Sequence, residues 1–314
     1  MIVRVVLLLL FLALLAAMPW IGSDTVIQFG INTLLLATLA QGWNMIGGFT
    51  GYPSFGNSVF YGLGTYGTAI AMSNYGLPFP VGLACGAGLG VVCAVIFGLP
   101  ILRLRGPYFA IATLGLSAVM AAIVSNLNIA GNNIGLILPL FRGDALFYEL
   151  ALGVLVLATL TVFWLSKSRF GAGLVAIREN EDAAAVMGIN TTLYKVCALA
   201  ISAFFSALVG GIHAYWITFI DPSSAFDASL NVKMVIMAVF GGPGTVFGPI
   251  VGTFILSAIS EVLASSVSTV ASLFFGIVIV LAVVFMPKGL VDLVAGFRRS
   301  GVRYFIENMR RYRI

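Results

Sequence analysis

Charged residues are the scarcest component of this sequence, at 9% of its 314 residues, whereas 61% of the residues are hydrophobic. Soluble globular domains carry about 25% charged residues, so a soluble enzyme or binding domain is excluded. Between Asp24 and Arg103 the sequence has no Asp, Glu, Lys, Arg or His. At about 20 residues per crossing, that interval is long enough for three membrane spans. The sequence therefore predicts an integral membrane protein.

Several chemical signatures are also missing. The sequence has no GxxxxGK[ST] phosphate loop, no HExxH, no GxSxG and no Cys/His cluster. We therefore expect that the chain is not an enzyme and binds no cofactor or metal. Its sixteen basic residues are bunched into short stretches and do not form the continuous footprint of a nucleic-acid-binding protein. The expected surroundings are a lipid bilayer, without nucleic acid.

The three cysteines, Cys85, Cys93 and Cys197, lie in apolar runs and have no CxxC spacing. This pattern indicates neither a disulfide framework nor a zinc site, and we expect buried, reduced thiols. A GxGxxG motif occurs at Gly62, Gly64 and Gly67. Because it lies in an uncharged apolar run with no strand before it, it indicates a helix-packing surface and not a dinucleotide site.

The apolar runs predict an all-α polytopic membrane protein with internal repeats. Runs long enough to cross a membrane lie at about 5–21, 26–46, 57–74, 80–102, 107–127, 147–166, 195–217 and 270–286. A further run, 230–264, is broken, so we expect about eight transmembrane helices plus a broken or re-entrant helical pair, or about eight to ten spans. Residues 1–290 are expected to form one transmembrane domain, and 291–314 a basic cytoplasmic tail. The first run also fits a signal peptide, but Met18-Pro19-Trp20 is a poor cleavage site, so we expect it to be retained.

The distribution of basic residues predicts the orientation. With both termini in the cytoplasm, all Lys and Arg residues except Arg142 and Lys233 lie on the inner side, as the positive-inside rule requires. This topology forces 230–264 to enter and leave on the outer face. Its turn would then lie at membrane depth, where irregular backbone is tolerated only under cover of protein or in a water-filled cavity.

Two breaks in the apolar runs look alike. Each has a glycine pair ahead of a Phe-Gly, from 47–48 to 55–56 and from 241–242 to 247–248. Gly/Pro-broken segments at matching places of internal repeats indicate a transport site. The residues expected to line or gate the path are Thr50, Gly51, Ser54, Asn57, Gly241, Gly242, Thr245, Phe247 and Gly248. The alternative for each glycine is close helix packing, as the small-xxx-small spacing of 82-86-90 and 244-248-252 also indicates.

The polar loop 167–195 predicts a short helix from 176 to 188. Its alanines favour a helix, Glu179, Glu181 and Asp182 suit the positive end of the helix dipole, and Gly188 offers a stop. A helix of about ten residues is marginal alone, so we expect it to dock on a partner. The alternative is a solvated connecting loop.

The segment 168–189 resembles the cytoplasmic coupling segment of permease subunits in ABC importers for branched-chain amino acids, the LivM type. That family has the form S-x-F-G-x-x-x-x-A-I-R-E-x-E-x-A-A-x-x-x-G-I, which this segment matches. Further blocks agree, in order, at 51–57 with 62–66, at 103–115 and at 241–249. Two departures are Asn57, where the family commonly has His, and Ala172-Gly173, where it commonly has Arg-Ala.

The resemblance implies a permease subunit of a heteromeric importer in the bacterial cytoplasmic membrane. The implied partners are a homologous second permease subunit, two ATP-binding subunits that hold ATP and Mg, an extracytoplasmic solute-binding protein and an amino-acid substrate. The residues implied in coupling to the ATPases are Ala176, Arg178, Glu179, Glu181, Ala183 and Gly188. Alternatives are a permease for urea, amides or sugars, an ion-coupled secondary transporter, and a membrane-embedded enzyme or scaffold. The secondary transporter is disfavoured because charged residues are absent between Asp24 and Arg103.

Overall fold

The computed structural model describes residues 15, 17–20, 22–141, 143–266 and 289–290. These residues are mostly helical. The helices are α1 Asp24–Trp43, α2 Asn57–Ser73, α3 Phe79–Ile101, α4 Pro107–Ser125, α5 Asp144–Lys167, α6 Arg169–Glu179, α7 Glu181–Val186, α8 Thr191–Ile217, α9 Pro222–Ala225, α10 Ala228–Gly241 and α11 Gly248–Ser266. The other described elements are a π-helical turn, Asn44–Gly48, a short 3₁₀ turn, Asn128–Ala130, and a pair of two-residue antiparallel strands, β1 Leu136–Ile137 and β2 Phe219–Ile220.

Five helical stretches in the described part of the chain are long and apolar enough to cross a membrane. They are Phe79–Ile101, Pro107–Ser125, Asp144–Lys167, Thr191–Ile217 and Pro222–Gly241. The chain is therefore an all-α, multi-pass membrane protein, as predicted. The expected spans 26–46 and 57–74 form α1 and α2, which bury polar side chains such as Gln41 and Asn57 in the bundle. Most of the expected span 5–21, all of 270–286 and the tail 291–314 lie outside the described residues.

Helix α8 occupies the centre of the bundle, packed against α1, α2 and α3. Glycine lets these helices approach closely. A Cβ atom on Gly64 would lie 2.1 Å from the carbonyl oxygen of Ala207, and one on Gly86 would lie 2.6 Å from that of Gly64. Gly67 in turn lies against the backbone of Gly86. The GxGxxG motif is therefore a helix-packing surface, as predicted.

The cysteines follow the prediction in part. Cys85, Cys93 and Cys197 are free thiols, but Cys85 is exposed and the other two are partly exposed. The prediction of burial is wrong because apolar side chains of a membrane protein also cover the outer surface of the bundle. An apolar run therefore does not distinguish the core from the lipid-facing side.

The two predicted breaks have different shapes. The turn between α10 and α11 is irregular from Gly242 onward, and two helices flank it, as predicted. In the first break the helix does not stop at Gly47-Gly48. It continues through a π-helical turn, Asn44–Gly48, and the irregular backbone begins at Gly51, with φ +73°. The π turn includes both glycines without ending the helix. The irregular segment therefore begins later than predicted and lies closer to Gly56.

The predicted single helix 176–188 is two helices. Asn180 is extended, at φ −161° and ψ 110°, and separates α6 from α7. Its side chain accepts the backbone N–H of Ala183 at 3.0 Å, so it caps α7 in the way asparagine favours. Glu179 is therefore the last residue of α6, and its predicted place in a first turn is wrong. Glu181 does lie in the first turn of α7, and Gly188 ends the segment with φ +86°.

Candidate functional site

The two broken segments are hydrogen-bonded to each other through amide side chains at the end of α1 and in the π turn. Asn44 donates to the carbonyl of Thr245 at 2.9 Å and accepts the N–H of Gly244 at 2.7 Å. Gln41 donates to the carbonyl of Val246 at 2.7 Å. Both amides are fully buried, where a polar group needs a partner. The turn 242–247 is thereby fixed against the end of α1.

Glycine makes this contact between the breaks close. A Cβ on Gly48 would lie 2.5 Å from the backbone nitrogen of Gly244, which itself has φ +74°. The turn also closes on itself, because the Thr245 hydroxyl donates to the carbonyl of Gly242 at 2.7 Å and accepts the N–H of Gly248 at 3.0 Å. A Cβ on Gly241 would lie 1.8 Å from the carbonyl oxygen of Gly248. The predicted path glycines of the second break are thus packing positions as well.

The polar residues of the first break point into the bundle. The Trp43 indole donates to the carbonyl of Ser54 at 2.8 Å, and the Ser54 hydroxyl donates to Asn57 at 3.2 Å. Asn57 donates to the hydroxyl of Ser202 on α8 at 2.9 Å. Thr50 donates to the carbonyl of Ile46. Thr50, Ser54 and Asn57 are each about 1% exposed. Ser54 and Asn57 therefore belong to an internal polar network, whereas Thr50 is bonded locally.

Phe247 and Gly51 differ from the other predicted path residues because they lie at the surface of the chain. Phe247 is 49% exposed. Gly51 is also exposed. Because it has no side chain, the aliphatic part of Arg178 packs against its backbone, and a Cβ there would lie 2.7 Å from the Arg178 Cγ. The predicted path residues therefore do not line one common surface. It divides into buried polar groups, turn glycines and two surface residues.

Arg178 on α6 joins the predicted coupling segment to both breaks. Its guanidinium donates to the carbonyl of Gly48 at 3.1 Å, and the same Nη1 atom lies 2.7 Å from the position that a Cβ on Gly244 would occupy. Arg178 also pairs with the neighbouring Glu179 at 3.2 Å, whose side chain is 72% exposed. The sequence predicted a pair of functional residues here, and the structure adds the contact of Arg178 with the breaks.

Glu181 on α7 turns inward, onto a buried lysine. Its carboxylate accepts from Lys195 at 2.6 Å and from the Tyr52 hydroxyl, and lies 3.8 Å from Arg105. Lys195 also donates to Tyr52 at 3.0 Å and to the carbonyl of Leu102 at 2.9 Å. Burial opposes the carboxylate, but the hydrogen bonds from Lys195 and Tyr52 and the nearby positive charges outweigh it, so the Glu181 pKa lies below its ordinary value.

The rest of the coupling segment faces outward. Asp182 is held by two hydrogen bonds from Arg105, at 2.8 and 3.1 Å, and these keep its pKa below the ordinary range. Ala183 and Gly188 are exposed, and Ala176 on α6 is partly buried. The last residue of α7, Val186, and the residue that follows the helix, Met187, are apolar and are 88% and 82% exposed.

Sequence reasoning missed the residues that connect these features. Gln41 and Asn44 are uncharged and so are not among the ionisable residues that mark intramembrane function, although a buried amide in an apolar run is also a functional candidate. Lys195 opens an apolar span, where a lysine is ordinarily attributed to the positive-inside rule. The described part of the chain has no group of three or more His, Cys, Asp or Glu side chains that could hold a metal ion.

The chain is similar in sequence to permease proteins of several bacterial import systems. The chain is 26% identical to the high-affinity branched-chain amino acid transport system permease protein LivM of Escherichia coli K12, over 90% of this chain and 73% of that protein. It is 26% identical to the fructose import permease protein FrcC of Rhizobium meliloti, over 59% of this chain and 56% of that protein. It is 30% identical to the autoinducer 2 import system permease protein LsrC of Salmonella typhi, over 61% of this chain and 57% of that protein.

No solved structure matches the chain. The profile of one family, described as branched-chain amino acid transport system permease components, matches residues 25–283. This match covers all of the described helices from α1 to α11, including both breaks and the coupling segment. The chain therefore belongs to the family of permease components of branched-chain amino acid transport systems.

Proposed function

We propose that this chain is the membrane-spanning subunit of an ABC importer that carries branched-chain or other neutral amino acids across the bacterial cytoplasmic membrane. The observation that carries the proposal is the position of Arg178. It lies on an exposed helical segment and touches both broken segments of the bundle, through Gly48 and Gly244. A segment accessible to a partner is thereby connected to irregular backbone inside the bundle, which is what coupling requires.

The orientation follows from the basic residues around this contact. Four basic residues lie at or just beyond the ends of α3, α5 and α6 that are nearest the coupling segment: Arg103, Arg105, Lys167 and Arg169. Positive charge in such loops favours the cytoplasmic side of the membrane. The coupling segment is then cytoplasmic, as are both termini. The pair α10–α11 enters from the outer face, and its turn lies near the inner end of α1.

The partner of the coupling segment is an ATP-binding subunit. Val186 and Met187 form an exposed apolar tip beside the charged Asp182, and apolar groups surrounded by charge are typical of protein contact sites. Two such ATPases, each docked on one permease subunit, would supply ATP and Mg. Their closure moves α6–α7, and Arg178 conveys that movement to the breaks.

The transported molecule is neutral overall. The breaks present buried hydroxyls, amides and helix ends, and no charged side chain occurs in the chain between Asp24 and Arg103. Helix ends suit the two charges of a zwitterion. A solute-binding protein delivers the substrate from outside. Such a binding protein carries much of the selectivity.

A sugar or related solute is the competing substrate, because permeases for fructose and autoinducer 2 are also similar to this chain. The match to the LivM protein extends over 90% of the chain, compared with about 60% for these two. The similarity to the amino acid permease is thus the more extensive, so the amino acid is preferred.

The test begins with affinity purification of this chain from its native membrane. Mass spectrometry is expected to identify a second polytopic subunit and two phosphate-loop ATPases. The purified complex, in proteoliposomes with its binding protein, is expected to take up radiolabelled leucine only when ATP is present. Uptake of fructose or urea in place of leucine would assign another substrate class. Transport by the chain alone in ATP-free vesicles would contradict the importer and favour an ion-coupled transporter.

A further inference from the structure

Lys195 is a buried cation near the start of α8. Its side chain is 3% exposed, and it lies in the second turn of the helix. Burying a charge costs free energy unless the charge is paired and hydrogen-bonded. The Lys195 ammonium group therefore needs a counter-charge and hydrogen-bond acceptors at this position, and the residues that supply them indicate its role.

The partners of Lys195 come from three different segments. Its ammonium group has three N–H donors, and they meet Tyr52 at 3.0 Å, the carbonyl of Leu102 at 2.9 Å and Glu181 at 2.6 Å. Tyr52 belongs to the first break, Leu102 caps the end of α3, and Glu181 begins α7. Together with α8 itself, four segments of the chain meet at one nitrogen atom.

Glu181 is the member of this cluster that lies on the exposed helix. One of its carboxylate oxygens accepts from Lys195 and the other from the Tyr52 hydroxyl. Separating the pair would leave Lys195 buried without its counter-charge, which is more costly than moving the pair together. A displacement of α7 therefore carries Lys195 and Tyr52 with it.

We propose that Lys195 is a positioning residue that transmits movement of α7 to the first break and to the end of α3. The proposal rests on the proposed function, and it adds a second connection beside Arg178. Arg178 is hydrogen-bonded to the first break at Gly48, and the Lys195–Glu181 pair is hydrogen-bonded to it at Tyr52. The coupling segment thus holds the start of that break from two sides.

The alternative is that the cluster only stabilises the fold and transmits no movement. The double variant Glu181→Gln, Lys195→Met separates the two roles, because it removes both charges and leaves no buried charge unpaired. Its control is Arg169→Gln, which removes an exposed charge at the start of α6 and leaves Lys195, Glu181 and Tyr52 unchanged. Tyr52→Phe is a milder variant that keeps both charges and removes only the hydroxyl.

The test is hydrogen exchange, measured by mass spectrometry, on the purified complex of this chain with its ATP-binding subunits, with and without ATP. In the wild type and in the control, ATP is expected to change exchange in peptides covering 181–187 and 49–56. In the double variant and in Tyr52→Phe, the response of 49–56 is expected to be reduced while that of 181–187 remains. The response of 49–56 is not abolished, because Arg178 still contacts Gly48. A response of 49–56 in both variants equal to that of the wild type would overturn the proposal.

Transport gives a second readout that a purely structural role would not change. Leucine taken up per ATP hydrolysed is expected to fall about tenfold in the double variant, a size typical of coupling between sites. A normal ratio in the molecules that assemble would overturn the proposal. If wild-type 181–187 does not respond to ATP, docking of the ATPase at α7 is wrong and this proposal fails with it. If it responds but leucine is not transported, only the proposed substrate fails.

Discussion

The side chain of Asn44 accepts the backbone N–H of Gly244 at 2.7 Å and so joins two segments that lie 200 residues apart. The same side chain donates to the carbonyl of Thr245 at 2.9 Å. One buried amide thus satisfies a donor and an acceptor of the irregular turn between α10 and α11. The turn keeps its shape because α1 supplies the hydrogen bonds that a helix would otherwise provide.

We expect Asn44→Ala to destabilise the protein and to reduce transport. It leaves the N–H of Gly244 and the carbonyl of Thr245 without their partner, at about 1–3 kcal/mol for each buried group. The measurement is the thermal unfolding midpoint in detergent, together with ATP-driven leucine uptake at equal expression. The matched control on the same helix is Thr33→Val, because the buried Thr33 hydroxyl has no hydrogen-bond partner among the described residues. A lower midpoint for Thr33→Val than for Asn44→Ala would contradict the assignment.

We expect Arg178→Gln to reduce uptake more than it reduces stability. The substitution removes a charged donor from the carbonyl of Gly48, a contact of about 1.5–3 kcal/mol when buried. Because the Arg178 side chain is 36% exposed, solvent screening places the loss of stability at or below the low end of that range. Uptake is expected to fall by about tenfold, a size typical of coupling between sites, because the contact that joins α6 to the break is lost.

Arg169→Gln is the control for this change, because it removes an exposed arginine from the other end of the same helix. It is expected to insert and transport like the wild type. Equal uptake by both variants would mean that the contact between Arg178 and the break has no part in transport.

The stabilising contribution of Glu181 is expected to depend on pH. Its pKa is lowered in the folded protein, so the contribution is fully present above the ordinary carboxyl pKa of about 4.3 and is lost as the pH falls through the lower, folded-state value. The measurement compares unfolding midpoints of the wild type and Glu181→Gln between pH 7 and pH 3. The wild type is expected to be more stable at pH 7, and the difference is expected to narrow below about pH 4. A difference that stays constant over this range would show that the carboxylate charge does not contribute.

Much of the fold could be predicted from the sequence because it depends on local patterns. Apolar runs locate the helices, and the Gly-Pro cluster at 241–249 locates the turn between α10 and α11. The capping geometry of Asn180, which divides the coupling segment into α6 and α7, was missed because alanines on both sides favour one continuous helix. The exposure of Cys85 was missed because hydrophobicity does not tell core from lipid.

The contacts within the candidate site could not be predicted in the same way. Gln41 and Asn44 meet the turn 242–247 across some 200 residues of sequence, and such a pairing is set by how the helices pack. The contacts of Lys195 could not be predicted for the same reason. Its charge is visible in the sequence, but its three partners come from segments that only the tertiary structure brings together.

The last prediction concerns Gly248, which begins α11. A Cβ at this position would lie 2.3 Å from the Thr245 hydroxyl oxygen and 2.5 Å from the carbonyl oxygen of Gly242, so even alanine forces the turn to shift. Overpacking of this kind typically costs about 1–3 kcal/mol. We expect Gly248→Ala to lower the unfolding midpoint and the larger Gly248→Leu to abolish uptake. Gly153→Ala on α5 is the control, since a Cβ there meets nothing within 4 Å.

The two measurements distinguish packing from movement at Gly248. Gly153→Ala is expected to be neutral or slightly stabilising, because alanine favours a helix over glycine by about 1 kcal/mol. If Gly248→Ala is destabilised and transports in proportion to the folded fraction, the glycine acts through packing alone. If it keeps wild-type stability but loses uptake, the turn must move during transport and the added methyl group blocks that movement. Wild-type stability together with wild-type uptake would refute the close contact with Thr245 and Gly242.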